Sequence, residues 1–411
     1  MQVFRQVRQA VLGLALTILG GLSIAAQSAE VGVAYHATGP GGLISDGFLT
    51  RYHQGGTRAL VQSQLSSMQS AGVDAIRTAI WIGAETVPVD NRSTNRRYMI
   101  AFPPRPQDLT NIKNYVDDVN AAGLTLDLAL KWGTGRADFN VGCVNTSDQP
   151  GYCSTTGLGP DHMSLSTFEN NMKPLTIAKI IQQISPGEVR YFYYDAEVIY
   201  DPDLGSLSGS AKRTRRNNNW HFEKGYGYFA SILTSQNKGT PSVYYIITRN
   251  PNPNQTIRTW SWNILPPGPY PALYGHRTMY HPVRTATFIE NTFAAKGWPS
   301  SWKPPRFDVS FYLDTPNQGL YDDFVQKLIS DYDAVMKTAF GFPNELGIAE
   351  TTYFGNSSRR SNACTASALN NSRVESFFFW STPYSQEREG GNGSPGYYAT
   401  RQGPITNISG C

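Results

Sequence analysis

The chain is poor in the residues that build metal centres. It has four cysteines and six histidines among 411 residues, with no C-x-x-C motif and no H-x-H pair. His276 and His281 are interpreted as ordinary loop residues. The sequence therefore disfavours a zinc site and predicts neither a metal nor a cofactor.

Charged side chains are also scarce. They make up 16% of the chain, whereas about a quarter is usual in globular proteins. The formal net charge is +4, and removal of Arg5 and Arg8 with a signal segment would lower it by two, to +2. So small an excess of positive charge argues against nucleic acid as the main partner.

Long apolar runs are absent except near the N-terminus. Arg5 and Arg8 precede an apolar stretch at residues 10–26, and Ala26-Gln27-Ser28 offers small residues for cleavage. This order predicts a secretory signal over residues 1–29, with an uncleaved anchor as the alternative. We expect a secreted or periplasmic monomer with no stable membrane insertion after cleavage.

The four cysteines agree with export to an oxidising compartment. Cys143 and Cys153 bracket a polar loop and are predicted to close it as a disulfide. A second bridge, between Cys364 and Cys411, would then tie the C-terminal tail to the rest of the chain. Four cysteines allow three connectivities, and this one is favoured only because its first bridge is local.

Eight strand-like segments alternate with helix-like segments along the chain. The strands are predicted at residues 31–36, 73–82, 124–132, 189–197, 242–248, 307–313, 346–351 and 374–380. The helices are predicted at residues 58–70, 109–122, 168–184, 222–233, 284–295 and 320–340. This alternation predicts an α/β fold, a (β/α)8 TIM barrel over residues 30–384. A doubly wound sheet is the alternative, but no glycine-rich turn of a dinucleotide site opens the first helix.

Several connections that follow predicted strands are long. They span residues 138–164, 201–219 and 250–282. In a barrel such βα loops lie at the C-terminal face and form the walls of a site. Residues 385–411 are rich in Gly and Ser, lack a helical period, and are predicted to be an irregular tail.

Two of the predicted strands end in a glutamate. Glu350 closes the apolar run Leu346-Gly347-Ile348-Ala349, and Glu197 closes an aromatic run. A carboxylate at the tip of a buried strand is costly unless it has a function or a partner. Two such carboxylates at the C-terminal end of a barrel predict the acid pair of a retaining glycosidase, with structural carboxylates as the alternative.

The strand tips together resemble the retaining (β/α)8 glycoside hydrolases of clan A. The segment AGVDAIR at residues 71–77, followed by Trp81, is similar to the clan's approach to strand two, where an Arg bonds the nucleophile. The resemblance implies that Arg77 has this role. It also implies that Glu197 is the acid/base and Glu350 the nucleophile.

The resemblance extends to two aromatic residues and fails at one position. Tyr312 resembles the strand-six Tyr that contacts the nucleophile, and Trp380 resembles the strand-eight Trp that floors the sugar subsite. The clan has Asn immediately before its acid/base, whereas this chain has Ala196, preceded by Asp195. Either Asp195 takes over the contact to the sugar, or the substrate differs there, or the site is not catalytic.

Other candidates for substrate binding lie near the predicted strand ends. His36 is a candidate for contact with a sugar hydroxyl, and Trp81 and Trp132 are candidates for stacking on sugar rings. A packing role is the alternative for each. The basic run KRTRR at residues 212–216 is either a solvated charge run or a rim that binds carboxylates or phosphates of an acidic polysaccharide.

These features predict a secreted or periplasmic retaining glycoside hydrolase that acts on a polysaccharide or oligosaccharide. A catalytically inactive carbohydrate-binding barrel is the first alternative, and Ala196 is its main support. A metal-dependent hydrolase on the same fold is the second, since fold does not fix chemistry. The shortage of paired His and Asp ligands counts against it.

Overall fold

The computed structural model of the chain describes residues 30–35, 48–70, 72–82, 100, 104–132, 173–195, 198, 200–205, 209–249, 282–312, 340–341, 346–352 and 374–380. The predicted signal segment, all four cysteines, the predicted tail and nearly all of the predicted helix at 320–340 lie outside these residues. The signal, the disulfides and the tail therefore stay predictions.

In the described part of the chain, nine strands alternate with five helices. The strands are β1 (Glu30–Ala34), β2 (Ala75–Ile82), β3 (Thr125–Trp132), β4 (Tyr191–Tyr193), β5 (Thr240–Ser242), β6 (Tyr244–Arg249), β7 (Asp308–Tyr312), β8 (Leu346–Thr352) and β9 (Val374–Trp380). The helices are α1 (Gly55–Ser70), α2 (Pro106–Ala121), α3 (Lys173–Gln182), α4 (Gly209–Gln236) and α5 (Pro282–Lys296), with 3-10 turns at Phe48–Arg51 and Ser300–Trp302. Among these helices, none is both long and apolar enough to cross a membrane.

The strands form one parallel sheet that closes on itself. Its order is β5-β4-β3-β2-β1-β9-β8-β7-β6, and every strand pairs with its neighbours in parallel. The two edges, β5 and β6, are consecutive pieces of one strand that only Val243 separates. The sheet is therefore a closed barrel of eight strands, and the predicted (β/α)8 fold is confirmed.

Side chains alternate between the inside of the barrel and the helix layer. On β3, Leu126, Leu128 and Leu130 are buried in the main hydrophobic core, which also contains residues of the helices. Asp127 and Ala129, on the other face of the strand, are fully buried inside the barrel. This alternation is the two-residue period of a strand. The barrel interior is therefore lined by different and more polar residues than the helix layer.

Helices α1, α2, α4 and α5 begin earlier than the apolar period predicts. Pro106 and Pro282 open α2 and α5, where a proline is favoured because its missing N–H has no helical partner in any case. Helix α4 differs most, since it begins at Gly209 rather than near Phe222. The predicted loop at 201–219 is therefore wrong from Gly209 onward, and the basic run at 212–216 lies in the first turns of α4. Lys and Arg favour helix, but that segment has no apolar residue to show a period.

Two glycines let α4 approach its neighbours closely. A Cβ atom at Gly225 would overlap the hydroxyl of Tyr194, and one at Gly227 would lie 2.6 Å from the Trp298 ring. Phe229 of α4 packs edge-on against Phe192 of β4, with ring centroids 5.4 Å apart. Helix α4 is thus packed directly onto the end of β4.

Candidate active site

The structure describes the candidate site residues to different depths. Side chains are described for Arg77 and Asp195. Only the strand backbone is described for Trp81, Trp132, Tyr312, Glu350 and Trp380. His36 and Glu197 lie outside the described residues, so their predicted roles stay untested.

The backbone register locates Glu350 near the carboxyl-terminal half of the barrel. Glu350 of β8 is in register with Ser310 of β7, which is fully buried. Against β9 the register shifts between the pairs Ile348↔Phe377 and Thr351↔Phe379. The backbone of Glu350 therefore lies in an irregularity of the strand, across from Phe378.

Arg77 of β2 contacts the same phenylalanine across β1, the strand between β2 and β9. It is buried, with 3% of its surface exposed, and its guanidinium carbon lies 5.0 Å from the centroid of the Phe378 ring. A Cβ atom at Gly32, the β1 partner of Phe378, would lie 2.5 Å from that ring. Arg77 and the backbone of Glu350 are thus both neighbours of Phe378.

Three candidate aromatic residues occupy the last register pairs of their strands, and Trp81 lies one pair earlier, opposite Lys131. Trp132 pairs with Ile82, and Tyr312 pairs with Arg249. Trp380 pairs with both Ala34 and Thr352. Their backbones therefore lie at the carboxyl-terminal end of the barrel, where βα loops begin.

Asp195 lies close to helix α4. It is 5% exposed, and its Oδ2 lies 3.9 Å from Nε2 of the fully buried His221. On the other side of the ring, Nδ1 lies 2.7 Å from Nζ of Lys173, which is also fully buried. When Nζ of Lys173 donates to Nδ1, the ring proton lies on Nε2, on the side of Asp195.

The same helix holds the chain that follows β4. The backbone N–H of Asp201 donates to Oδ1 of Asn219 over 3.1 Å, and Nδ2 of Asn219 donates to the carbonyl of Asp201 over 2.6 Å. Arg284 of α5 donates to the Asp201 carboxylate through Nε and Nη2, at 2.9 and 2.6 Å. Asp201 is 2% exposed, so these charges meet out of solvent.

The basic run of α4 is divided between two roles. Arg215 lies 3.5 Å from the Asp201 carboxylate and is partly buried, whereas Lys212 and Arg216 are exposed. At least one member of the run is therefore structural. The exposed members keep both predicted interpretations open, a solvated charge run or an anion-binding rim.

A second polar cluster fills the amino-terminal end of the barrel. We call it the barrel floor; its members are Glu30, Asp127, Arg190, Arg306, Asp308 and Glu375. The fully buried Arg306 lies 2.8 Å from Asp308, 3.1 Å from Glu375 and 4.0 Å from Asp127. Its guanidinium carbon is 4.1 Å from the centroid of the Tyr191 ring.

Arg190 completes the floor from the start of β4. It binds Asp127 through two hydrogen bonds of 3.0 Å and makes a close ion pair with Glu30 of β1. Burial raises the pKa of Glu30 although Arg190 opposes this. Burial likewise raises the pKa of Asp308 against the effect of Arg306. Both carboxyls thus give up their protons less readily than in water.

Sequence reasoning missed the floor and the contacts of α4. Alternation on the strands offered one signal, since Asp127 interrupts a run of leucines at an inward position. Nothing comparable marked Lys173 or His221. Within the described residues, no group of three or more His, Cys, Asp and Glu side chains could hold a metal ion.

Comparison with known proteins gives a likeness to glycoside hydrolases. No family model matches the chain, and no curated protein matches it. An endo-1,4-beta-mannanase from Eisenia fetida is 11% identical, with 94% of this chain and 92% of that chain covered at a TM-score of 0.48. A family 5 xyloglucanase from Paenibacillus pabuli is 12% identical, with 94% and 99% covered at 0.47. The β-mannanase of the blue mussel Mytilus edulis is 13% identical, with 92% of each chain covered at 0.46.

Likenesses of this size do not define an activity for this chain. Their identities are far below 25% and their TM-scores are below 0.5. The class of the protein, a (β/α)8 barrel, follows instead from its own strand order.

Proposed function

We propose that this chain is a retaining glycoside hydrolase that cleaves a polysaccharide or oligosaccharide in the periplasm or outside the cell. Glu350 is the nucleophile and Glu197 the general acid/base in this proposal. Its main support is the position of Glu350 on β8, across from Phe378, whose ring packs against the buried Arg77. A guanidinium at this depth favours the ionised form of a nearby carboxylate.

The reaction has two displacement steps. In the first, a Glu350 oxygen attacks the anomeric carbon while Glu197 gives its proton to the leaving glycosidic oxygen. In the second, Glu197 takes a proton from water, and the water oxygen displaces Glu350 from the sugar. Two inversions give net retention. The mechanism requires the two carboxyl groups to lie about 5 Å apart.

The remaining candidates would bind substrate around this bond. Trp81, Trp132 and Trp380 would offer ring faces to the sugars, and Tyr312 would contact the nucleophile. Asp195 is proposed to act beneath the site rather than on the sugar, since its described contact is with His221. The exposed Lys212 and Arg216 make an acidic polymer a substrate to include in any test.

The test is hydrolysis of a panel of neutral and acidic polysaccharides by wild type, Glu350→Gln and Glu197→Gln. Glu223→Gln, a half-buried residue of α4, is the matched control. We expect wild type and the control to release sugars, and both site variants to stay folded while losing roughly 10²-fold or more of that activity. The first product should keep its anomeric configuration by NMR. Full activity in either site variant would contradict the assignment.

A carbohydrate-binding barrel without turnover is the second candidate. The observation that favours it is Ala196, because clan A enzymes have Asn at that position. In this case wild type would bind one polymer of the panel and release no sugar from any. Glu350→Gln would then leave the affinity almost unchanged.

A further inference from the structure

Helix α4 and its neighbours hold the chain on both sides of the proposed acid/base. Upstream of Glu197, the Tyr194 hydroxyl bonds the His221 carbonyl, and Asp195 lies 3.9 Å from the His221 ring; downstream, Asp201 is bonded to Asn219. We call these contacts the strand-four anchor; its members are Lys173, Asp195, Asp201, Asn219, His221 and Arg284. The two α4 residues that make these contacts, Asn219 and His221, are two positions apart in the chain.

The upstream half of the anchor is packed without room for adjustment. The Tyr194 hydroxyl donates to the carbonyl of His221 over 2.9 Å, and Lys173 donates to the same carbonyl over 3.2 Å. The Lys173 ammonium also lies 5.2 Å from the centroid of the Tyr194 ring. A Cβ atom at Gly225 would overlap both side chains. Among the described contacts of this half, the titratable groups near Asp195 are His221 and, behind it, Lys173.

The downstream half fixes backbone as well as side chains. Asn219 satisfies both the N–H and the carbonyl of Asp201, as a neighbouring strand would. One residue earlier, Thr285 of α5 makes the same double contact with the backbone of Tyr200, at 3.4 and 3.1 Å. Arg215 and Arg284 face the Asp201 carboxylate from α4 and α5. The path of residues 200 and 201 is therefore fixed by directional bonds.

Directional contacts of this kind matter most for a proton donor. A general acid acts only within hydrogen-bond reach of the oxygen that it protonates. A misplacement of about 1 Å, caused by a residue remote from the chemistry, can cost roughly 10²-fold in rate. Apolar packing alone would leave more freedom to the two ends of so short a segment.

We infer that Asn219 and His221 are positioning residues that set the place of the general acid from helix α4. The inference rests on the proposed function, because it assumes that Glu197 donates a proton to the leaving group. It assigns to α4 a role in catalysis without contact to the sugar.

Leaving-group dependence distinguishes this role from a structural one. A dinitrophenolate departs without a proton, whereas a saccharide alkoxide needs the acid. The experiment measures kcat and KM of Asn219→Ala on an oligosaccharide and on the dinitrophenyl glycoside of the same sugar, with Glu223→Gln as the matched control. The comparison uses kcat/KM, because kcat also includes the second step, in which Glu197 acts as the base on either substrate. We expect kcat/KM on the oligosaccharide to fall about 10- to 100-fold. On the dinitrophenyl glycoside kcat/KM should fall less than about 3-fold, and the control should match wild type on both.

The other results distinguish failure of the inference from failure of the proposed function. Equal losses on the two substrates, or none on either, would overturn the inference and leave the proposed function standing. Failure of wild type to cleave either substrate would overturn the proposed function and the inference with it. If Asn219→Ala does not fold, His221→Gln gives the same test from the upstream side. Its amide can still donate towards Asp195 and accept from Lys173, so a loss smaller than that of His221→Leu is expected.

Discussion

The two ends of the barrel use buried polar residues in different ways. At the amino-terminal end, the barrel floor joins strands to one another: Arg190 links β1 with β3, and Arg306 links β7 with β9 and β3. At the carboxyl-terminal end, the strand-four anchor joins the chain after β4 to helices outside the barrel. In barrel enzymes the carboxyl-terminal end carries the chemistry and the other end carries stability.

This difference predicts how substitutions in each set of residues affect the protein. The floor has four carboxylates and two guanidinium groups packed inside the barrel, so loss of one guanidinium leaves carboxylates without a partner. The anchor also contains charged residues, but its central bonds join the Asn219 amide to the backbone of Asp201, so their loss leaves no buried charge without a partner. Substitutions in the floor should therefore act on folding, whereas those at the other end should act on turnover.

The largest effect is expected for Glu350→Gln, and it should be an effect on activity alone. Loss of a nucleophile lowers kcat by roughly 10⁴-fold or more in enzymes of known mechanism. The free energy of unfolding should stay within about 1 kcal/mol of wild type, because the amide has the shape of the carboxylate. Urea unfolding measured beside the hydrolysis assay checks both. If Glu350→Gln lost stability along with activity, Glu350 would have a structural role like that of the floor residues.

The next largest effect is expected for Arg306→Met, and it should be an effect on stability. Removing one partner from a buried ion pair costs about 3–5 kcal/mol, because the remaining charges stay out of water. Arg58→Met is the matched control, since Arg58 makes a similar double contact with Asp118 but is 39% exposed. Its cost should be about 1 kcal/mol or less. Urea unfolding measures the loss of unfolding free energy in both variants. Equal losses would show that the buried ion pairs of Arg306 contribute no more to stability than the exposed pair of Arg58.

Much of the fold could be predicted from the sequence because its signals are local. Apolar runs such as Leu346–Ala349 mark strands by composition alone, and all eight predicted strands occur in the barrel. The residues that close the floor are far apart in sequence: Arg190 and Glu30 are separated by 160 positions. Such pairs exist only once the barrel has closed, so no local pattern predicts them.

The contacts of α4 in the candidate site could not be predicted for the same reason, because they join residues that are far apart in sequence. The position of Glu350 on β8 could be predicted, because the sequence predicts that strand. The contact between Asp195 and His221 depends on how α4 packs against β4, and the start of α4 has no apolar period to reveal it. The sequence therefore predicts the strands but not all of their ends, since β4 stops at Tyr193 and β8 continues past Glu350 to Thr352. It does not predict which helix holds the chain after β4.

An intermediate effect is expected for Gly347→Ala, which tests how tightly the floor is packed. A Cβ atom at this position of β8 would overlap the Asp308 carboxylate and lie 2.7 Å from Nε of Arg306. Overpacking of a core costs about 1–3 kcal/mol, and here the displaced groups are a buried ion pair. Gly56→Ala is the matched control, because no atom lies within 4 Å of its Cβ position in α1. The control should be neutral or stabilising by up to about 1 kcal/mol.

The smallest effect is expected from the titration of Glu30, and it tests whether burial or Arg190 has the larger effect on the pKa of this carboxyl. Burial raises the folded-state pKa of Glu30 above its ordinary value of 4.5, although Arg190 opposes this and Asp127 adds to it. The folded protein therefore keeps this proton at pH values where the unfolded chain has lost it. The stability that Glu30 contributes by this route is fully present below the unfolded pKa and is lost as the pH rises through the folded pKa.

Glu30→Gln should remove that dependence, because the amide does not titrate. Relative to the variant, wild type should lose stability, by less than about 1 kcal/mol, between about pH 4 and the raised pKa, and the difference should be constant above it. Urea unfolding of the two proteins in steps of pH measures the difference directly. A wild type that gains stability over this window would mean that Arg190 outweighs burial. Glu30 would then be held ionised by its ion pair with Arg190.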